Sequence, residues 1–131
     1  MAMKGSADKL FTRLVPILVV GDLEAERRFY EALGMRVTYE GPEYPNFIAL
    51  GGGGVEFGLE RRKAGGVDVD PDRVLTWQLG VSDIDAAAQR CHDAGLEFTI
   101  QAHEPRPGWR YRTLRLRSPD GFEVLLEGPA E

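Results

Sequence analysis

The feature that most constrains the fold of this chain is an internal repeat. When the sequence is shifted by 61 residues, the segment from Val19 to Glu40 lies over the segment from Gly80 to Gln101. In this overlay Asp22 coincides with Asp83, and Gly34 coincides with Gly95. A repeat of this kind predicts two similar structural units, so each local prediction has to hold in both copies.

Each copy predicts one strand, one helix and three further strands. Asp22 and Asp83 each follow an apolar strand, and their carboxylates can accept hydrogen bonds from the unpaired N–H groups at a helix N-terminus. Each helix is predicted to end at a glycine, because glycine tolerates the left-handed backbone after a last turn. The remaining strands are predicted near residues 35–41, 46–50 and 55–60, and again near 96–101, 109–117 and 122–127. The predicted fold class is therefore α+β, with two tandem βαβββ units forming a curved mixed sheet that bears a cleft.

The length of 131 residues fits a single domain with one core. Within it we expect unit one at residues 13–60, a linker rich in Gly and Asp at residues 61–73, and unit two at residues 74–127. Residues 1–9 carry no apolar period and are expected to be a disordered leader.

Charge and composition exclude several classes of partner. The chain has 16 basic and 21 acidic residues and a net charge of -5, which gives no electrostatic footprint for nucleic acid or for an anionic membrane. Its longest apolar run, Leu14 to Val20, is seven residues, whereas a membrane-spanning helix needs about 20. Cys91 is the only cysteine and has no disulfide partner in the chain, which favours a cytoplasmic location.

Side-chain alternation along the strands predicts which residues face a cleft. One face of each strand packs under a helix, and the opposite face stays open. The open face combines apolar, aromatic and scattered polar side chains, as small-molecule sites usually do. The stretch from Glu104 to Tyr111, rich in Pro and Gly, is predicted to be a loop over this cleft. The predicted ligand-binding residues are Val15, Ile17, Phe47, Gly58, Thr76, Gln78, Trp109, Tyr111, Thr113, Arg115 and Leu125.

The sequence resembles the vicinal oxygen chelate superfamily, which includes glyoxalases, extradiol dioxygenases and bleomycin-resistance proteins. The resemblance rests on the two βαβββ halves, on FYEALG from Phe29 to Gly34 and on the SPDG turn from Ser118 to Gly121. It covers residues 13–128, nearly the whole chain. Because one fold hosts many functions, the resemblance predicts the fold more strongly than the activity.

The resemblance also implies where a metal would be held. Metal-dependent members place one His, Gln or Glu ligand at each of four positions, which here are Val15, Gly58, Thr76 and Leu125. Three of these side chains offer no ligand atom, and a threonine hydroxyl is a poor ligand for such a metal. We therefore expect neither a metal nor another cofactor.

The empty ligand positions favour a binding protein over an enzyme. The resemblance to metal-free members implies a bleomycin-resistance-type homodimer, whose clefts sequester a hydrophobic or aromatic antibiotic or natural product. One alternative is a metal-free enzyme performing isomerisation, cyclisation or lyase chemistry, with Glu56, Glu123 or His103 as acid or base. Two others are a metalloenzyme with relocated ligands and a non-catalytic sensor or interaction module.

Overall fold

The computed structural model of the chain describes Leu10, residues 13–63 and residues 76–131. The predicted leader, the predicted linker from residue 64 onward and the first two residues of the predicted second unit lie outside the described residues.

The described chain runs through a strand, a helix and three strands, and this order occurs twice. Unit one contains β1 (Ile17–Val20), α1 (Leu23–Ala32), β2 (Arg36–Tyr39), β3 (Phe47–Gly52) and β4 (Val55–Arg61). Unit two contains β5 (Thr76–Gly80), α2 (Ile84–Asp93), β6 (Thr99–Arg106), β7 (Trp109–Arg117) and β8 (Glu123–Pro129). The predicted α+β class with two tandem βαβββ units is confirmed.

The strands form two four-stranded sheets with the same internal order. The first sheet is ordered β1-β4-β3-β2, and the second is ordered β5-β8-β7-β6. In each sheet the first strand of the unit pairs in parallel with the last, and the other neighbouring strands are antiparallel. β1 and β5 are therefore equivalent edge strands, as the repeat predicts.

Both helices begin and end at the residues that the repeat indicates. The Asp22 carboxylate accepts a hydrogen bond from the Ala25 N–H at 3.0 Å, and Asp83 accepts one from the Ala86 N–H at 3.1 Å. The chain leaves α1 through Gly34 at φ 105° and leaves α2 through Gly95 at φ 71°. These positive φ angles explain why a glycine stands at each helix end.

One hydrophobic core receives side chains from the helix-covered faces of both sheets. The alternation predicted for the strands is observed throughout β8, where every second residue is buried. In β4 and β7 the alternation is incomplete, because Gly58 and Thr113 on the open face are buried as well. Trp77 is partly buried and packs against this core. The core includes Leu18, Val20, Phe57, Leu59, Leu114, Leu116, Val124 and Leu126.

The two units touch along a contact that we call the seam. At its centre the Phe57 ring of β4 lies 4.9 Å from the Tyr30 ring of α1 and 4.9 Å from the Trp77 ring of β5, measured between centroids. The SPDG turn of unit two reaches unit one through Asp120, whose Oδ2 accepts from the Gly21 N–H at 2.9 Å. Aromatic packing and hydrogen bonds therefore both hold the units together.

The prediction of a loop between Glu104 and Tyr111 is wrong. Residues up to Arg106 belong to β6 and Trp109 begins β7, so only Pro107 and Gly108 form the turn, with Gly108 at φ 86°. The prolines misled the prediction because proline usually ends a strand. Here Pro105 lies at an irregularity of the pairing on an edge strand, where its missing N–H costs no ladder hydrogen bond.

In the part of the chain that the structure describes, no helix has the length and hydropathy that a membrane span needs.

Candidate functional site

The ring of Phe47 lies over Gly58 on the open face of the first sheet. Ile17 on β1 and Ala49 on β3 lie beside Gly58 on β4 as its register partners. A Cβ placed on Gly58 would stand 2.5 Å from Phe47 Cε1 and 3.3 Å from Ile17 Cγ1, which is too close for any side chain without movement. Gly58 is therefore a glycine because the Phe47 ring lies directly over its backbone.

Two tyrosines that were not predicted extend this aromatic surface. The Tyr39 ring centroid lies 6.1 Å from that of Phe47 and 6.1 Å from that of Tyr44, which is 65% exposed. Tyr39 donates its hydroxyl hydrogen bond to Glu43 at 2.9 Å. Desolvation, followed by the contact with Glu43, raises the pKa of the Tyr39 hydroxyl above its usual value. The register of Tyr39 with Ala49 is the signal that places it on this face.

The open face of the second sheet surrounds Leu125 with polar side chains. Leu125 on β8 lies between its register partners Gln78 on β5 and Arg115 on β7. Gln78 Nε2 donates to Glu127 at 3.1 Å, and Arg115 Nε forms an ion pair with Glu123 at 3.1 Å. The apolar side chain of Leu125 is therefore surrounded by polar side chains that bind to one another.

His103, one of the predicted acid or base candidates, lies in β6. Its ring stacks on Tyr111 at 4.7 Å between centroids and 18° between planes, and its Nε2 lies 2.9 Å from the Thr113 hydroxyl. The Trp109 ring continues the series 5.9 Å from Tyr111, and the Arg106 guanidinium lies 5.2 Å above the Trp109 ring. We call Arg106, Trp109, Tyr111 and His103 the aromatic ladder. Side chains of this kind stack on flat aromatic molecules.

The two glutamates predicted as acid or base candidates are each engaged by an arginine. Glu56 pairs with Arg13 at 3.2 Å and accepts from the Thr38 hydroxyl at 3.2 Å. Glu123 pairs with Arg115 and accepts from the Thr76 hydroxyl at 3.2 Å. Both glutamates therefore accept hydrogen bonds and form ion pairs within their own sheet.

Within the described residues, the carboxyl with a strongly raised pKa is Glu26, which the sequence reasoning missed. This side chain of α1 is fully buried in the seam, and its Oε2 accepts from the Asp120 N–H at 2.8 Å. Burial raises the pKa of Glu26 from 4.5 to about 7, although the Asp120 N–H and the Ser118 hydroxyl oppose the shift. Glu26 belongs to the seam and to neither open face.

The predicted ligand-binding residues separate into two groups. Ile17, Phe47 and Gly58 lie together on the first sheet, and Val15 is a partly buried residue just before β1. The residues of β5, β7 and β8 lie together on the second sheet. Among residues 13–63 and 76–131, no hydrogen bond or ring contact joins the two groups. The second group is Thr76, Gln78, Trp109, Tyr111, Thr113, Arg115 and Leu125.

The four positions implied as metal ligands do not fit a metal. Phe47 occupies the space above Gly58, and Leu125 offers only carbon atoms. The hydroxyl of Thr76 already donates to Glu123. In the described part of the chain, no three His, Cys, Asp or Glu side chains come together as a metal-binding group.

A family model places the chain among known proteins. The model described as the glyoxalase, bleomycin resistance protein and dioxygenase superfamily matches residues 11–126. The chain therefore belongs to this superfamily, as its sequence resemblance indicates. A comparison with curated proteins finds no match.

Solved structures share the fold at low sequence identity. A bleomycin resistance determinant encoded on the transposon Tn5 matches with a TM-score of 0.68 and 21% identity, over 92% of this chain and 100% of that one. A bleomycin-binding protein complexed with bleomycin matches with a TM-score of 0.65 and 20% identity, over 90% and 98% of the two chains. Lactoylglutathione lyase from Agrobacterium tumefaciens matches with a TM-score of 0.65 and 15% identity, over 92% and 96%. Binding proteins and enzymes thus share this fold.

Gly58→Ala is expected to displace the Phe47 ring and lower the free energy of unfolding by about 1–3 kcal/mol, because the new methyl group overpacks the site. In a Phe47→Ala background the same change is expected to cost little, since the ring it meets is gone. Chemical denaturation of the two single variants and the double variant measures this coupling. Gly54→Ala is the matched control, because a Cβ at Gly54 meets no atom within 4 Å. If the double variant loses the sum of the stability losses of Gly58→Ala and Phe47→Ala, the Phe47 ring does not contact Gly58.

Proposed function

We propose that this protein is a metal-independent small-molecule-binding protein of the bleomycin-resistance type, which sequesters a hydrophobic aromatic antibiotic or natural product. The main observation behind the proposal is that apolar side chains occupy two of the positions where the family resemblance implies metal ligands. The Phe47 ring lies over Gly58, and Leu125 projects from the equivalent position of the second sheet. Apolar groups at both positions favour an apolar body in the space where related enzymes hold a metal.

Both open faces offer contacts to a flat aromatic ligand. The first carries Phe47 with Tyr39 and Tyr44 at its rim, and the second carries the aromatic ladder. Trp109 at the end of the ladder is 51% exposed, so a ligand would remove apolar ring surface from water. Each aromatic pair contributes about 0.5–1.5 kcal/mol beyond the burial of area.

The proposal includes a homodimer with the ligand clefts at its interface. Ile17 and Val19 on edge strand β1 are 56% and 45% exposed, and an edge strand with exposed apolar side chains favours association. In this arrangement the first open face of one protomer is completed by the second open face of its partner. The cleft then combines the Phe47 surface with the aromatic ladder.

A tryptophan-fluorescence titration with planar aromatic antibiotics and metabolites, including bleomycin, tests binding. We expect at least one compound to quench the wild-type emission saturably at micromolar or lower concentration. Trp109→Phe is expected to remove most of the quenching while calorimetry still detects binding, because Trp77 lies in the seam. If no compound of the panel binds by fluorescence or by calorimetry, the proposal is contradicted.

A second candidate function is a metal-free enzyme, which His103 favours. Histidine is a common general acid or base, and the Thr113 hydroxyl at 2.9 Å together with the Tyr111 ring fixes the orientation of the His103 imidazole. Such an enzyme would change the mass or connectivity of its ligand, and His103→Asn would abolish that change. Binding without any change in the recovered compound favours the sequestering function instead.

A further inference from the structure

A cavity of about 410 Å³ lies in the seam, and its walls include neither Phe47 nor Leu125. The end of α1, the turn between β3 and β4, the segment from Gly80 to Asp83 and the first two turns of α2 line it, and part of it opens to solvent. The volume falls within the roughly 300–1,000 Å³ typical of small-molecule sites. Its apolar walls are formed by Leu33, Met35, Val55, Leu79, Val81 and Leu126.

The internal repeat explains why this space exists. A shift of 61 residues places Ala87 where Glu26 stands, and the overlay of the last strands places Gly53 where Asp120 stands. At the equivalent place in the seam, the side chains of Glu26 and Asp120 fill the gap between the units. Glu26 Oε2 accepts from the Asp120 backbone N–H at 2.8 Å, and Asp120 Oδ2 accepts from the Gly21 N–H. A Cβ at Gly53 would meet nothing within 4 Å. The cavity is thus the counterpart of the Glu26 contact, with both filling side chains replaced by small residues.

Arg90 supplies a positive charge to the lining of this cavity. Its guanidinium lies over Gly34, where a Cβ would stand 3.4 Å from Arg90 Cζ. Within residues 13–63 and 76–131, Arg90 forms no ion pair. The other charged group in the lining is Asp83, whose carboxylate caps α2 seven residues earlier, about 10 Å away along the helix. The Arg90 end of the cavity is therefore available to an anion.

We infer that this seam cavity is a second small-molecule site, for a small organic anion with an apolar body. The apolar part lies against the walls contributed by both units. The carboxylate pairs with the Arg90 guanidinium, whose planar fork matches a carboxylate in two parallel hydrogen bonds. The site is separate from the proposed cleft, so binding here does not depend on the function proposed for the open faces.

Titration of the isotopically labelled protein with benzoate, followed by NMR, tests this inference. We expect saturable shifts at the amides of Gly53, Ala87 and Arg90, with the amides of Phe47 and Leu125 unaffected. Benzamide, a neutral compound of the same shape, is expected to bind at least about tenfold more weakly, the equivalent of about 1.4 kcal/mol for a charge-assisted contact. Arg90→Gln is expected to weaken benzoate by a similar factor.

Two control variants separate binding from structural effects. Arg28→Gln removes an exposed arginine of α1 that does not line the cavity, and it is expected to leave benzoate affinity unchanged. Ala87→Leu reduces the cavity and is expected to weaken benzoate and benzamide alike. Absence of saturable shifts at the seam, or an Arg90→Gln variant that loses stability but keeps its benzoate affinity, would overturn the inference. The latter result would assign Arg90 to supporting the C-terminal end of α1.

Discussion

Glu26→Gln is expected to stabilise the protein above pH 7 by up to about 3 kcal/mol, and to remove most of the stability loss on going from pH 4.5 to 7. The wild-type carboxyl is fully buried, and its Oε1 has no hydrogen-bond partner. Ionisation in the folded state therefore leaves a poorly compensated charge in the seam. Glutamine has the same shape, keeps an acceptor for the Asp120 N–H and stays neutral.

The direction of the pH effect follows from the raised pKa. The folded protein binds the Glu26 proton up to about pH 7, whereas the unfolded chain releases it near pH 4.5. The stabilisation from Glu26 is thus fully present below pH 4.5 and is lost as the pH rises through 7. The neighbouring acids Asp120 and Asp22 raise the pKa further, and no base is among the groups that shift it. Tyr30, one turn along α1, stays protonated because burial and the Glu26 charge raise its pKa.

Denaturant unfolding at pH 5 and pH 8 measures this effect. Glu24→Gln is the matched control, because Glu24 is an exposed carboxyl in the first turn of the same helix. The difference between wild type and Glu26→Gln should be small at pH 5 and large at pH 8, and the Glu24 variant should follow the wild type at both. If Glu26→Gln tracks the wild type at pH 8, Glu26 is not the buried proton-binding group that its position indicates.

Phe57→Ala is expected to lower the free energy of unfolding by about 3–5 kcal/mol, the range for truncating a buried phenylalanine. Phe57 is 1% exposed, and its ring contacts Tyr30 of its own unit and Trp77 of the other. Truncation leaves a cavity at the centre of the seam and removes two edge or tilted ring contacts. The loss should therefore affect both units in one cooperative transition.

Chemical denaturation followed by tryptophan fluorescence measures the loss, because Trp77 reports directly from the seam. Phe47→Ala is the control: it truncates a phenylalanine of the same sheet whose ring lies on the partly exposed open face. Its effect should be clearly smaller. A Phe57→Ala loss of about 1 kcal/mol or less, or a separate unfolding of the two units, would show that the seam does not couple them.

The fold was predictable because the repeat made every local signal appear twice. The caps at Asp22 and Asp83, the glycines at 34 and 95 and the alternation in β8 all act within a few residues of the chain. Such short-range signals survive in the folded structure when packing agrees with them. The open-face positions of Gly58 and Leu125 followed from the same alternation.

The features that the sequence did not reveal depend on strand pairing and on contacts with other segments of the chain. The reach of β6 to Arg106 depends on pairing with β7 across a two-residue turn, and that pairing outweighs the two prolines. Glu26 had one local signal, because it shares the buried stripe of α1 with Leu23 and Tyr30 at helical spacing. Its role became visible only with the Asp120 backbone beside it, 94 residues away in the chain.

The most direct test of the central claim, binding without chemistry, is the number of compound molecules that each chain removes from solution. Protein is incubated with an excess of a compound that quenches its fluorescence, and the free and the released compound are quantified by mass over time. The account predicts that removal stops at one molecule per chain and that denaturation releases the compound at its original mass. Removal that continues beyond this stoichiometry, or a changed mass, would contradict sequestration and establish an enzyme.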